Sequence, residues 1–174
     1  SVISLLMGIL LPALGKAKAA ASRTYCASNL RQIGVAFRAY LDDNRDIMPP
    51  ACGYPWLITD TTNPGYKPPI TKFLGPLLKV PKVFICRSDT AKKYYLMGDG
   101  GTSYYYNGDG PLGLGGLAIS TSVQAKEGIK AKNIDVMSDF DAIHSGMSGT
   151  WTTRVGRKNY LYADWHVGDY TNQD

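Results

Sequence analysis

Residues 1–40 read SVISLLMGILLPALGKAKAAASRTYCASNLRQIGVAFRAY and decide the architecture of the chain. The first fourteen carry no charged side chain, and the rest are rich in Ala, Leu, Arg, Lys and Gln, which are good helix formers. Asp42-Asp43-Asn44 and then Met48-Pro49-Pro50 mark the helix end. The sequence therefore predicts a helix over residues 1–44, about 60 Å long, and a separate head over residues 45–174.

Residues 1–14 form an apolar segment that would span about 21 Å as a helix, short of the ~30 Å hydrocarbon core of a bilayer. Basic residues follow the segment, whereas a signal peptide has them in front. We therefore expect the second half of a membrane-length helix. Each large apolar side chain gains about 1.5–3 kcal/mol on burial, so we expect a membrane or a filament core to cover Val2, Ile3, Leu5, Leu6, Met7, Ile9, Leu10, Leu11 and Leu14.

Two further patterns shape the helix. Pro12 removes a backbone hydrogen bond and Gly8 adds flexibility, so a kink or a melted stretch is expected nearby. After the proline, apolar residues recur at spacings of four, three, four and three. This stripe predicts helix-to-head packing through Cys26, Leu30, Ile33, Phe37 and Tyr40.

The net charge of +5 is concentrated in the helix. Residues 1–41 hold five of the 19 basic residues and no acid, so the remaining 14 basic and 14 acidic residues cancel. This pattern fits a helix near anionic lipid or one neutralised by neighbours in an assembly. Nucleic acid is not expected as a partner, because no zinc-finger, RNP-like or helix-turn-helix pattern is present.

The head reads as short strands separated by Pro- and Gly-rich loops. Strands are expected at residues 80–86, 103–107 and 134–137, with a short helix or turn at 73–78. Residues 159–170 alternate and predict a hairpin that turns near Asp164-Trp165. The fold class is therefore α+β, with the long helix packed on a small antiparallel sheet.

Several of these stretches resemble type IV pilin-like proteins and type II secretion pseudopilins, in particular a group with a C-terminal His-X9-Asp-Gly-type motif. The resemblance rests on ILLPAL, on CASNLRQIG at residues 26–34, on ICRSD at 85–89, on SYYYN at 103–107 and on NYLYADWHV at 159–167. Arg87 stands where that group has proline and Trp165 where it has glycine. His144 and Asp164 are 20 positions apart, so the His-X9-Asp spacing is not literally present.

The resemblance implies a pilin-like structural subunit that is not an enzyme. Such a subunit waits in the inner membrane, is handled by pilus or secretion machinery, and joins identical subunits in a filament at the cell surface. The alternative is a membrane-anchored surface binding protein or a minor pseudopilin. A disulfide in the family-like segments would join Cys26 to Cys86, with Cys52–Cys86 close behind.

The sequence gives little support for a catalytic site or a metal site. Asp139, Asp141, His144, Asp164 and His166 match no metal-ligand spacing, and none of the three cysteines has the CxxC spacing of zinc sites. Calcium is the one cofactor that the loops suggest, because aspartates in Gly-rich or turn-like loops supply oxygen ligands. Its candidate ligands are Asp99, Asp109, Asp139 and Asp141.

Overall fold

The computed structural model describes residues 2–53, 67–89, 101–108, 113–121, 128–139 and 158–168. One helix, α1, runs from Val2 to Asp43 without interruption. The head supplies a five-residue helix, α2 (Ile70–Leu74), and four short strands: β1 (Tyr104–Tyr106), β2 (Asp135–Asp139), β3 (Tyr160–Tyr162) and β4 (Val167–Gly168). The class is therefore α+β.

Helix α1 ends where its sequence stops supporting a helix. Asp42 and Asp43 are its last residues, and Arg45 and Asp46 then adopt left-handed conformations with φ of 56° and 59°. Helical structure also continues past Pro12, so the expected melted stretch is absent. A proline removes one hydrogen bond, and the bonds of the neighbouring residues are enough to hold the turn. A change of axis direction at Pro12 stays a prediction.

The strands form one antiparallel sheet in the order β1-β2-β3-β4 within the described residues. Tyr104 pairs with Asp139, and Met137 pairs with both Tyr106 and Leu161 across its two neighbours. The strands β3 and β4 make the predicted hairpin, with Leu161 opposite Val167. The strands expected near residues 103–107 and 134–137 are confirmed as β1 and β2.

The strand expected over residues 80–86 is wrong. Pro81–Phe84 forms a 3-10 turn, with proline at its start, where the fixed φ and the missing N–H are tolerated. Val83, Phe84 and Cys86 are buried as the sequence pattern suggested. A short apolar run has the same composition in a buried strand and in a buried turn, so the pattern indicated burial but not backbone geometry.

The core lies between the second half of α1 and the sheet. Phe37 is at its centre, with its ring centroid 5.6 Å from that of Tyr106 and 6.0 Å from that of Trp165. Tyr40 meets Phe73, next to the end of α2, edge to face at 6.0 Å. The described helix residues before Cys26 contribute nothing to this core.

Candidate assembly site

The first half of α1 is an arm that leaves the head. Residues 6–21 are all exposed, as are Val2 and Ile3. Twenty helical residues span about 30 Å, so residues 2–21, which we call the arm, extend this far from the head. Between 54% and 73% of the surface is exposed at each of the large apolar arm residues that the structure describes, namely Val2, Ile3, Leu6, Met7, Ile9, Leu10, Leu11 and Leu14.

The apolar side chains of the arm surround the helix instead of forming a stripe. An amphipathic core helix would show burial along one face, whereas residues 6–14 are exposed on every side. The side chain of Leu5, the remaining member of the predicted set, lies outside what the structure describes. The arm therefore offers an apolar surface to several neighbours at once, as a membrane or a bundle of copies would require.

The second half of α1 carries the predicted packing stripe. Cys26, Leu30, Ile33 and Phe37 are fully buried, and Tyr40 is half-buried against the core. Cys26 is the first buried residue of α1 after the arm, and it forms a disulfide with Cys86. The Cα atoms of the two cysteines are 5.3 Å apart. The covalent link between helix and head therefore lies at the base of the arm, and the buried Cys52 takes no part in it.

A buried hydrogen-bond network supports the disulfide. The Asn29 side-chain amide, one turn beyond Cys26, donates to the Ile85 carbonyl and to the Tyr104 hydroxyl, both at 3.2 Å. The Tyr104 hydroxyl reaches the Cys26 carbonyl at 3.5 Å. Burial raises the pKa of Tyr104 far above its ordinary value, so this hydroxyl stays neutral and donates. The network thus joins α1 to both sides of the disulfide.

Gly34 lets the hairpin approach α1 closely. A methyl group added at Gly34 would lie 3.0 Å from Cδ1 of Leu161, which is fully buried in β3. Real side chains rarely pack this tightly, so a side chain at Gly34 would require the Leu161 methyl group to move by a few tenths of an ångström. Gly34 therefore allows Leu161 to pack directly against α1.

Trp165 occupies the turn of that hairpin in a left-handed conformation, with φ of 71°. This conformation costs residues other than glycine about 1–2 kcal/mol. The Trp165 ring lies over Phe37, with an interplanar angle of 27°. A stacked aromatic pair contributes about 0.5–1.5 kcal/mol beyond its burial, which offsets the backbone strain. The hairpin is thus kept, and the bulky side chain becomes part of the packing around Phe37.

Asp139 is the one candidate calcium ligand that the structure describes. It lies in β2 and is fully buried, and its Oδ2 accepts hydrogen bonds from the Asn159 backbone at 2.8 Å and side chain at 2.9 Å. A carboxylate used in this way fixes the start of β3. Asp99, Asp109, Asp141 and His144 lie outside the described residues, among which no group of three or more His, Cys, Asp or Glu side chains could hold a metal ion.

An open groove runs between α1 and the edge of the hairpin. It has a volume of about 230 Å³, and two of its seven lining residues, Arg23 and Arg31, are arginines while none is acidic. A guanidinium is permanently charged and matches the planar geometry of a carboxylate or phosphate. Two guanidinium groups therefore line the groove. No sequence pattern indicated it, because its two walls are more than 120 residues apart in the chain.

Asn29 and Gly34 lie within a motif-like stretch, yet their roles were not predicted from the sequence. A polar residue and a glycine on the inward face of a helix are signals of a specific contact, but their partners lie 56 to 127 residues away. Contacts between residues 26–34, 85–89, 103–107 and 159–167 form the junction between α1 and the head. They hold the head to the helix.

Comparison with known proteins returned nothing similar to this arrangement. No family model, no curated protein and no solved structure matches the chain. Separately, no helix among the described residues combines the length and hydropathy needed to cross a membrane.

Proposed function

We propose that this chain is the structural subunit of an extracellular filament of the type IV pilus or pseudopilus kind, built through the arm of α1. The observation that carries the proposal is the arm itself: a helix with large apolar side chains exposed on all sides, clamped at its base to a folded head. Before assembly the arm would be held in the inner membrane. No catalytic role is proposed.

The free energy of burial favours assembly. Eight described apolar side chains of the arm are more than half exposed, and each gains about 1.5–3 kcal/mol when fully buried. Burying these side chains against the arms of other copies therefore lowers the free energy with every subunit added. A contact that joins different surfaces of identical subunits propagates as a fibre when its rotation does not close into a ring.

The junction at the base of the arm suits a subunit that carries load. Pulling on an assembled arm would act directly on the segment where α1 enters the head. There the Cys26–Cys86 bond and the Asn29 hydrogen bonds resist separation of helix and head. A disulfide requires an oxidising compartment, which agrees with a head outside the cytoplasm.

The test is to shear the surface of the native cells and to analyse the released material by electron microscopy and mass spectrometry. Uniform filaments in which this chain is the dominant protein are the expected result. The chain remaining in the membrane fraction, with none in sheared filaments, would overturn the filament proposal.

The groove supports one alternative, a membrane-anchored surface binding protein or minor pseudopilin. In that case the arm stays in lipid and the pocket between Arg23 and Arg31 receives an anionic ligand. The same fractionation separates the two, because an anchored binder stays with the membrane and a minor pseudopilin occurs only in trace amounts within filaments of another chain.

A further inference from the structure

The arm and the head-packed part of α1 have matching lengths. Residues 2–21 span about 30 Å, and residues 26–43 span about 27 Å. An arm can therefore lie along the α1 segment of a second copy from one end to the other. This segment is packed on the head on one side only, and its other side is open.

The open side of α1 has an apolar residue that the fold of a single copy leaves uncovered. Val35 is 70% exposed, and it is the large apolar side chain that the head-packed segment presents outward. Ser28, Arg31, Gln32 and Ala39 surround it and are exposed as well. Their small or flexible side chains would allow another helix to approach Val35, since an arginine stem can pack along apolar surface while its charge stays in water.

The charges at the two ends of α1 are complementary. Lys16 and Lys18 are exposed on the arm, and Asp42, Asp43 and Asp46 are exposed where α1 ends. The two last helical aspartates lie at the negative end of the helix dipole, where acids are unfavourable. None of these five side chains takes part in an ion pair within the described part of the chain.

A single displacement of one copy along another brings together both the apolar residues and the complementary charges. Shifting a parallel copy by 26 residues, about 39 Å, brings its Asp42 level with Lys16 and its Val35 level with Ile9 of the first copy. We propose that the arm of one subunit docks on the open side of α1 of a second subunit, displaced by this distance. This inference rests on the proposed function, and it names the contact and the stagger by which the filament would grow.

The contact joins two different surfaces, so each copy offers a free arm at one end and a free α1 side at the other. Lys16 and Lys18 point about 200° apart around the helix, because successive residues are about 100° apart. They therefore face different neighbours. Each arm would be surrounded by more than one acidic helix end in the filament.

The apolar half of the contact is tested with Val35→Glu in the full chain, expressed in the native cells. Because Val35 is exposed, the head folds and its disulfide forms, whereas the yield of sheared filaments falls by about tenfold or more, since the carboxylate loses its water in the contact. The matched control is Val80→Glu, which places the same charge on a valine that is 52% exposed on the head. Equal yields from the two variants would overturn the proposal.

The register is tested by exchanging the charges. Lys16→Glu with Lys18→Glu, and separately Asp42→Lys with Asp43→Lys, should each lower filament yield about tenfold, because attraction becomes repulsion. The chain carrying all four substitutions should recover most of the yield. Lys130→Glu with Lys132→Glu is the control, two exposed head lysines with the same spacing.

The outcomes separate this contact from the filament proposal. The contact would be overturned if both charge-reversed double variants gave filaments at the wild-type yield, or if the fourfold variant did not recover the yield. Either result would leave the filament proposal standing. Absence of wild-type filaments would overturn the filament function and the contact together.

Discussion

Asn29 is a buried polar side chain of α1, and its amide holds two partners that belong to different parts of the head. Replacing Asn29 with Ala leaves the Ile85 carbonyl and the Tyr104 hydroxyl without this donor. We expect the free energy of unfolding to fall by about 1–3 kcal/mol in urea titrations. Gln32→Ala, one turn away and exposed, should change it by less than about 0.5 kcal/mol. Equal effects at the two positions would contradict the role of the network.

Trp165 combines backbone strain with a core contact, and two substitutions separate them. Trp165→Ala keeps the left-handed φ and loses the ring over Phe37, so thermal unfolding should show a clear loss of stability. Trp165→Gly loses the same ring but relieves the backbone, and it should be about 1 kcal/mol more stable than the Ala variant. A Gly variant no more stable than the Ala variant would show that φ carries no strain here.

Asp164 gives the hairpin turn a dependence on pH. Partial burial raises its pKa, but hydrogen bonds from the side chain and backbone of His166 outweigh burial and bring the pKa below its ordinary value. The folded pKa is thus lower than the unfolded value of about 3.9, so Asp164 stabilises the fold above that pH. This stability is lost as the pH falls through the folded pKa.

The measurement is the free energy of unfolding of wild type and Asp164→Asn from about pH 2 to about pH 7, a range that spans the carboxyl titration. Wild type should be the more stable protein near neutral pH, and the difference should shrink towards low pH. A difference that stays constant over this range would mean that the Asp164 charge contributes nothing.

At the scale of elements, the Cys26–Cys86 disulfide links α1 to the head across 60 residues of chain. A loop of this length predicts a loss of about 4 kcal/mol when the link is removed. Cys26→Ala with Cys86→Ala should therefore unfold at lower denaturant concentration than wild type. Reductant should destabilise wild type and leave the double variant unchanged. An equal response of both proteins to reductant would contradict the assignment of the bond.

Elements whose signals are local were predicted from the sequence. The end of α1 at Asp43 follows from two aspartates and a nearby proline pair, and the hairpin of β3 and β4 follows from alternation around a turn. The prediction for residues 80–86 failed because a buried 3-10 turn and a buried strand have the same apolar composition. The bond between Asp139 and Asn159 was not predicted, because the two residues are 20 positions apart in the chain.

At the scale of the whole molecule, the apolar arm was predictable because nine large apolar residues lie within the first fourteen and need cover. The attachment of the arm to the head was predicted only in part. The packing stripe and the Cys26–Cys86 pairing were expected, whereas Asn29, Gly34 and Trp165 act through contacts that only the fold creates. The difference has a physical reason: composition determines which surfaces must avoid water, whereas long-range contacts determine how the arm is attached.

We expect charged side chains in the arm to reduce filament assembly strongly, and charged side chains on the head to leave it unchanged. Leu6→Asp with Leu10→Asp places two carboxylates on an exposed helix surface, so the head should fold normally while filament yield falls below about a tenth of wild type. Leu77→Asp, at an exposed leucine of the head, is the control and should leave the yield near wild type. Undiminished filaments from the double variant would remove the arm from the assembly interface.

The most direct test of the central claim is a helical reconstruction, by electron cryomicroscopy, of filaments sheared from the native cell surface. We predict filaments of this chain in which residues 2–21 of neighbouring copies are bundled as helices around the axis, with the heads outside. Filaments held together through their heads with the arms away from the axis, or filaments built from another chain, would contradict this prediction.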